Sequence, residues 1–356
     1  MTAPLLTVIV PTRNRPDNLP GQLRLFQRAS YPVVIADSSD PAIADRIRAT
    51  MPDFARFQPF APDLSLYDKL ELVLRTIETP YVLIASDRKI TFPHAIEPLL
   101  DRLIAEADHV AAMGYVVGFS AYADTIDINR VIWFTPTIAE DDPLQRHYHL
   151  MRRYQSWAFC VFRTSSLLRA AAEARRAIGP VFQELLLMNA VALQGKMARL
   201  PVILSLQSEE RSFHPPTRNN AFYWLLDDIR SFSEHYMRYR NALTDFMHRI
   251  GISPPPNHDL NQLIDMIHAV WLYRNCDDGV LNHATRLLLG DTIRPIAGPE
   301  LHVAQRRRGW RDTVKKGARR YVWRDAVLRA EPRDEIHISN QEIDRVTAEL
   351  DVYFGK

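Results

Sequence analysis

Three short apolar runs that each break off into a polar tip constrain this chain more than any other feature. "LLTVIV" (5–10) stops at "PTRNRPDN", "YPVVIADSSD" (31–40) breaks at Asp37, and "YVLIASD" (81–87) breaks at Asp87. Continuous β-rich apolar runs of this length are the pattern of strands covered on both faces, as in a parallel sheet. Between them lie helical spacings: Leu19, Leu23 and Phe26 within 18–28, then Leu66, Leu70, Val73, Leu74 and Ile77 within 64–80. Strand, helix and strand in succession imply right-handed crossovers. The expected class is α/β, a Rossmann-like, mostly parallel sheet flanked by helices. Ligands in such sheets sit beyond the carboxyl ends of the strands, where Thr12, Arg13, Asp37 and Asp87 fall.

Farther along, a helix from about Pro93 leads to 109–122, read as a strand pair, and then to a less regular acidic segment ending at Asp142. Residues 146–201 read as helix, strand, helix and a longer helix from Phe182 to Gly195, with the glycine as C-cap. "VILSLQSEERS" is the last expected strand. Composition changes most sharply at "FHPPTRNN" (213–220), so the domain boundary is placed there. Residues 1–215 form the α/β domain. Residues 216–356 form a mainly α-helical region, broken at "SPPPNHD" (253–259).

Forty-four Lys and Arg against 42 Asp and Glu give a formal charge of +2, which argues against a nucleic-acid partner. Cys160 and Cys276 lie far apart with no CxxC pairing, as in reduced thiols of a cytoplasmic protein. The N-terminus lacks a charged n-region, and no run approaches the roughly 18–20 apolar residues of a membrane span. A cytoplasmic protein is expected, peripheral at most at the inner face of the membrane. Residues 305–329 are basic with interleaved Trp310, Tyr321 and Trp323. Such a stretch reads either as a contact for an anionic membrane surface or as a solvated helix face with its tryptophans packed inward.

"VIVPTRNRPDNL", "VVIADSSD" and "TPYVLIASD", in this order, resemble the nucleotide-sugar half of a family 2 glycosyltransferase with the GT-A fold. "LSLYDKLELVLRTIETPYV" followed by "FQELLLMNAVALQGK" resembles a bacterial subgroup associated with surface-polysaccharide genes. The likeness covers roughly residues 5–211 and thins between 120 and 180. It implies transfer of a sugar from a nucleotide-sugar donor to a glycan or lipid-linked acceptor, with inversion. By the same resemblance Pro11, Thr12, Arg13 and Asp37 hold the base and ribose, and Lys69 contacts the diphosphate. Read as a residue alone, Asp37 is either a hydrogen-bond acceptor for the nucleoside or a turn-former capping the next helix. Arg13 and Arg15 read equally as solvated loop charges and Lys69 as a surface lysine.

Where the family carries an Asp-x-Asp cluster, this chain has Ala85, Ser86, Asp87, Arg88 and Lys89. One carboxylate, Asp87, is left for Mg²⁺ or Mn²⁺. Arg88 and Lys89 repel such an ion yet can themselves stabilise phosphate charge. Three outcomes stay open: metal-assisted transfer through Asp87, metal-independent transfer with Ser86, Asp87, Arg88 and Lys89 around the diphosphate, or a non-catalytic GT-A-like binding or scaffold protein.

Glu184 occupies the family's position for the general base, near a helix start that favours its ionised form. Arg211 and His214 are read as phosphate or acceptor contacts or as part of a solvated loop. His147 and His149, two apart, cannot share a helical face as metal ligands and are placed on the acceptor side. A nucleotidyltransferase is a further alternative, weakened by the absence of glycine from "PTRNRPDN". The C-terminal region is expected to build the acceptor site, form a homo-oligomer or meet the membrane.

Overall fold

The computed structural model describes residues 4–122, 124–133, 135–152, 154–208, 221–274, 320–324 and 338–356. Its frame is a mixed sheet that begins as the sequence pattern demands. β1 (Leu6–Thr12) pairs in parallel with β2 (Val33–Asp37) on one side and β4 (Tyr81–Ile84) on the other, and β3 (Ala55–Pro59) extends β2. Val8, Ile9, Ile35 and Leu83 are wholly buried because both faces of these strands are covered. The helices α1 (Leu19–Arg28), α2 (Pro41–Ala49) and α3 (Leu66–Leu74) supply the crossovers. Strand β3 and helix α2 lack a strong apolar period, which is why the sequence reading passed over them.

The third expected strand is shorter than its apolar run. It ends at Ile84, and Asp87 lies in the turn before β5 (Lys89–Thr91). Helix α4 (Ile96–Ala105) leads to β6 (His109–Tyr122), a single 14-residue strand where a strand pair was expected, and to β7 (Thr125–Trp133) in the segment expected to be irregular. After α5 (Pro143–Arg152), β8 (Val161–Arg163) inserts antiparallel between β4 and β6. Helix α6 (Thr164–Ala174) and helix α7 (Pro180–Gln194) follow, and then β9 (Lys196–Ser208), parallel to β6 and antiparallel to β5. The sheet is thus parallel around β1 and mixed beyond β4.

Helix α7 is apolar on nearly every side, with Phe182, Leu185, Leu186, Leu187, Met188, Val191 and Leu193 all buried, as befits a helix covered by others. Covering it are α5, α6 and, past residue 220, α8 (Ala221–Asp227) and α9 (Ile229–Arg249), with α10 (Leu260–Arg274) packed on α5 and α9. The chain enters α7 through Gly179, whose φ of +81° is costly for any other residue.

The C-terminal part returns to the sheet. β10 (Arg320–Trp323) pairs in parallel with β7 at the edge, and α11 (Asn340–Phe354) packs on α1. The Tyr353 ring lies where a Cβ on Gly21 would stand, 2.7 Å away. Arg24 donates to the carbonyls of Val352 (3.2 Å) and Tyr353. His94 pairs with Glu342 and Glu349, both at 3.0 Å. The expected boundary at 215, and Arg211 and His214, lie outside the described residues, as does most of 305–329. Among the described residues no helix is long and apolar enough to cross a membrane.

Candidate active site

At the carboxyl ends of β1, β2 and β4 the turn chemistry of the sequence brings three loops together. Asn14, in the left-handed region at φ 56°, clasps the loop after β1 to the loop after β2. Its N–H donates to Ser39 Oγ (2.7 Å), its side-chain amide to Asp40 (3.0 Å), and its Oδ1 accepts from the Asp40 N–H (2.9 Å). Into this clasp the turn after β4 inserts Asp87. Thr12 Oγ1 donates to Asp87 Oδ2 (2.9 Å), Arg15 Nη1 to Oδ1 (2.9 Å), and Asn18 Nδ2 to the Asp87 carbonyl (2.8 Å). Burial raises the Asp87 carboxyl above its usual range, and Arg15 and Thr12 pull the other way.

Lys69 approaches from α3, a helix capped by Ser65, whose Oγ accepts from the Asp68 N–H (3.1 Å). Its Nζ donates to Ser38 Oγ (2.8 Å) and to the carbonyls of Thr12 (3.3 Å) and Ala36 (3.5 Å). The ammonium is therefore engaged by the ends of β1 and β2. Burial lowers it to about 8, with Asp37 and Asp87 opposing the drop. Asp37 is buried and accepts from Ser39 Oγ (2.5 Å). Helix α2 starts after Asp40, so Asp37 is not its cap.

Among the other residues singled out by the sequence, Pro11 is half-buried and Arg13 exposed beside this corner. Ser86 Oγ accepts from the Arg88 N–H (3.2 Å). Lys89 is buried with its Nζ 4.1 Å from the centre of the Phe159 ring, and burial lowers it well below the usual lysine range.

Glu184 forms a second corner. The Tyr67 hydroxyl donates to Oε2 and the Tyr154 hydroxyl to Oε1, each at 2.9 Å. Burial, reinforced by the charge on Glu184, pushes both phenols well above 10, so they are neutral donors. Helix α7 begins at Pro180, which puts Glu184 in the second turn, one turn deeper than the sequence suggested. The two phenols, more than the helix terminus, hold the carboxylate. Tyr67 and Lys69 sit on the same helix, so α3 ties the two corners together, and Lys89 feels the Glu184 charge.

Sequence reasoning had not joined Arg15, Asn18, Tyr67 or Tyr154 to the site. Arg15 stood out only as a loop charge, and Asn18 and Tyr67 look local in sequence; their partners are 69 to 117 residues away. Conversely, His147 is wholly buried against Asn189 (2.6 Å), while His149 faces Glu140 (2.7 Å) on the outside. His147 is a core residue and does not line an acceptor site.

A hard divalent ion wants several oxygen ligands. Here a lone carboxylate has one oxygen held by a guanidinium and the other by a hydroxyl, a donor set that does not fit Mg²⁺ or Mn²⁺. Among the described residues the one cluster with metal-ligand spacing, Glu106, Asp108 and His109, lies at the start of β6, by the opposite end of β4.

No family model matches the chain, and no curated protein is similar to it. Among solved structures it is similar to residues 1–349 of S. aureus TarS in complex with UDP-GlcNAc, at 15% identity and a TM-score of 0.43 over 81% of this chain and 93% of that one. It is also similar to CMP:2-keto-3-deoxy-manno-octonic acid synthetase complexed with CTP, at 12% identity and a TM-score of 0.36 over 65% of this chain and 100% of that one. Overlaps this loose bear on neither family nor activity, which must be argued from the chain itself.

Proposed function

We propose that the chain is a GT-A-like glycosyltransferase that passes a sugar from a nucleotide-diphosphate donor to a hydroxyl of a glycan or lipid-linked acceptor, with inversion. One observation carries this: a carboxylate held by two neutral phenols, Glu184 with Tyr67 and Tyr154, is joined through α3 to a charged, loop-built corner at the carboxyl ends of parallel strands. A base must be aimed. Two phenols that donate to a carboxylate fix its orientation, while being too weakly acidic to exchange protons themselves. Glu184 takes the proton of the acceptor hydroxyl as that oxygen bonds the anomeric carbon. The bond from that carbon to the diphosphate oxygen breaks, and its electron pair leaves with the nucleoside diphosphate.

Thr12, Arg13 and Asp37, with Pro11, border the space for base and ribose, and Ser86 to Arg88 border the diphosphate. Lys69 acts by stiffening the two strand ends. No step is assigned to a metal ion. The same proposal makes the enzyme cytoplasmic and, for a lipid-linked acceptor, peripheral through 305–329. Of that stretch Arg320–Trp323 form β10, and Arg324 makes a two-pronged pair with Asp127 at 2.7 and 2.8 Å.

Calorimetric titration with a panel of nucleotides and nucleotide sugars, followed by product analysis, tests the proposal. Binding of one donor with turnover that Glu184→Gln abolishes is expected. The closed Asp87 corner favours a second reading, a binding protein without catalysis; nucleotide binding with no transfer to any acceptor would establish it.

A further inference from the structure

We propose that Arg15, aimed by Asp87, supplies the positive charge at the donor diphosphate that a divalent ion would otherwise supply. The inference rests on the nucleotide-diphosphate reading of the strand-end corner. Asp87 is the more deeply set partner: its side chain is 4% exposed and that of Arg15 36%. Thr12 fixes one carboxylate oxygen and Asn18 fixes the backbone of the same residue, so Asp87 is a rigid anchor. Arg15 gives Asp87 one N–H, from Nη1. A guanidinium has five N–H donors in a planar fork, which leaves others for a second anion on its exposed side. Its backbone is held as well, because Asn14 is clasped to Ser39 and Asp40, and Pro16 opens the turn that follows.

Two of the other cations are placed for different work. Lys69 is engaged by Ser38 and two strand-end carbonyls, and Lys89 lies buried over Phe159. As the bond from the anomeric carbon to the diphosphate oxygen breaks, negative charge grows on the leaving phosphate. Charge-assisted hydrogen bonds from a guanidinium already oriented stabilise that charge without reorganisation. In this arrangement Asp87 is a positioning residue, and its acidity serves Arg15.

The test is calorimetric titration of the full chain with UDP, GDP, dTDP and CDP, and with the corresponding nucleosides. Each is measured with Mg²⁺, with Mn²⁺ and with EDTA, on wild type, Arg15→Ala, Arg15→Lys and Asp87→Asn. One diphosphate is expected to bind wild type equally well in EDTA. Arg15→Ala should weaken it roughly 10- to 100-fold while leaving the affinity for the nucleoside unchanged. Arg15→Lys, which keeps the charge and loses the fork, and Asp87→Asn, which loses the aim, should each give a smaller loss. Circular dichroism and melting of each variant separate misfolding from lost contact, and Arg15→Lys keeps the test decisive where Arg15→Ala unfolds. Diphosphate binding that requires the divalent ion, or that is indifferent to Arg15→Ala in a folded variant, overturns the inference and leaves the transferase reading standing. Failure of wild type to bind any nucleotide overturns both.

Discussion

Two of the polar networks among the described residues are made of different chemistry. At the strand ends Asp87, Arg15, Lys69 and Asp37 are ionisable groups held by short bonds to one another's loops. Behind α7 the groups are neutral. His268 Nδ1 donates to the Ile264 carbonyl (2.8 Å), which leaves Nε2 to accept from the Tyr239 hydroxyl (2.7 Å). Tyr239 in turn accepts from Asn189 Nδ2 (3.1 Å), and Asn189 Oδ1 accepts from His147 Nδ1 (2.6 Å). Burial holds His147 at about 4 and His268 at about 3. Neutral groups wired donor to acceptor need no outside partner, whereas buried ions are expensive unless something charged is to be met. On the proposed function, the difference separates a network that holds helices together from one that meets the donor.

Removing the proposed proton acceptor should give the largest effect and the sharpest contrast. Glu184→Gln keeps the shape, and kcat should fall on the order of 10²- to 10⁴-fold with donor affinity and melting temperature unchanged. A fall below about threefold would make Glu184 structural, on a par with the groups behind α7. Asn189→Leu is the mirror experiment. It removes the acceptor of His147 Nδ1 and one of the two partners of the Tyr239 hydroxyl at once, so urea titration should show a loss of about 2–4 kcal/mol. Donor affinity of the protein that remains folded should not change. If it does, the two networks are coupled.

How far the sequence alone reached follows the same division. The α/β class was legible because buried parallel strands write themselves as continuous apolar runs, and "LLTVIV" and "YPVVIAD" are such runs. Thr12, Asp37 and Asp87 were legible as neighbours because topology sends parallel strand ends to one edge. The Arg15–Asp87 and Tyr67–Glu184 pairs were not, since nothing in a loop arginine or a helical tyrosine specifies a partner 72 or 117 residues away. The docking of helix α11 was equally hidden. It relies on Gly21 having no side chain and on His94 meeting Glu342 and Glu349, pairings that leave no periodic trace.

That latch and the core histidines respond to pH with opposite sign. His94 is raised to about 9 by Glu342 and Glu349 against the pull of burial, and Glu342 also accepts from the Ile203 N–H (2.6 Å). Its contribution is fully present below the unfolded value near 6.5 and is lost as pH rises through 9. His147 and His268 are held neutral, so theirs is present above about 6.5 and fades as pH falls toward 4. Unfolding free energies from urea titration should therefore peak near neutrality and fall at pH 5 and at pH 9.5, by roughly 2–4 kcal/mol on the acid side and about 2 kcal/mol on the alkaline side. His94→Gln should flatten the alkaline side and leave the acid side as it was. Loss of the acid side instead would mean that the core histidines are not held neutral by burial.

The smallest expected effect tests the Glu184 corner from its support. In Tyr67→Phe one of the two phenol donors is removed and the ring that packs α3 is kept, so folding should not suffer. A hydrogen bond to a charged group contributes roughly 1–2 kcal/mol, and here it orients the carboxylate while Tyr154 continues to hold the other oxygen. Turnover should fall about tenfold with donor affinity unchanged, and Tyr67→Phe combined with Tyr154→Phe should lose more than the product of the single effects, because the second phenol compensates for the first only while it is present. Equal losses in Tyr67→Phe and in donor affinity would point elsewhere. Tyr67 would then act through α3 on Lys69 and the strand ends it pins, and the two corners would be one site with a single mechanical frame.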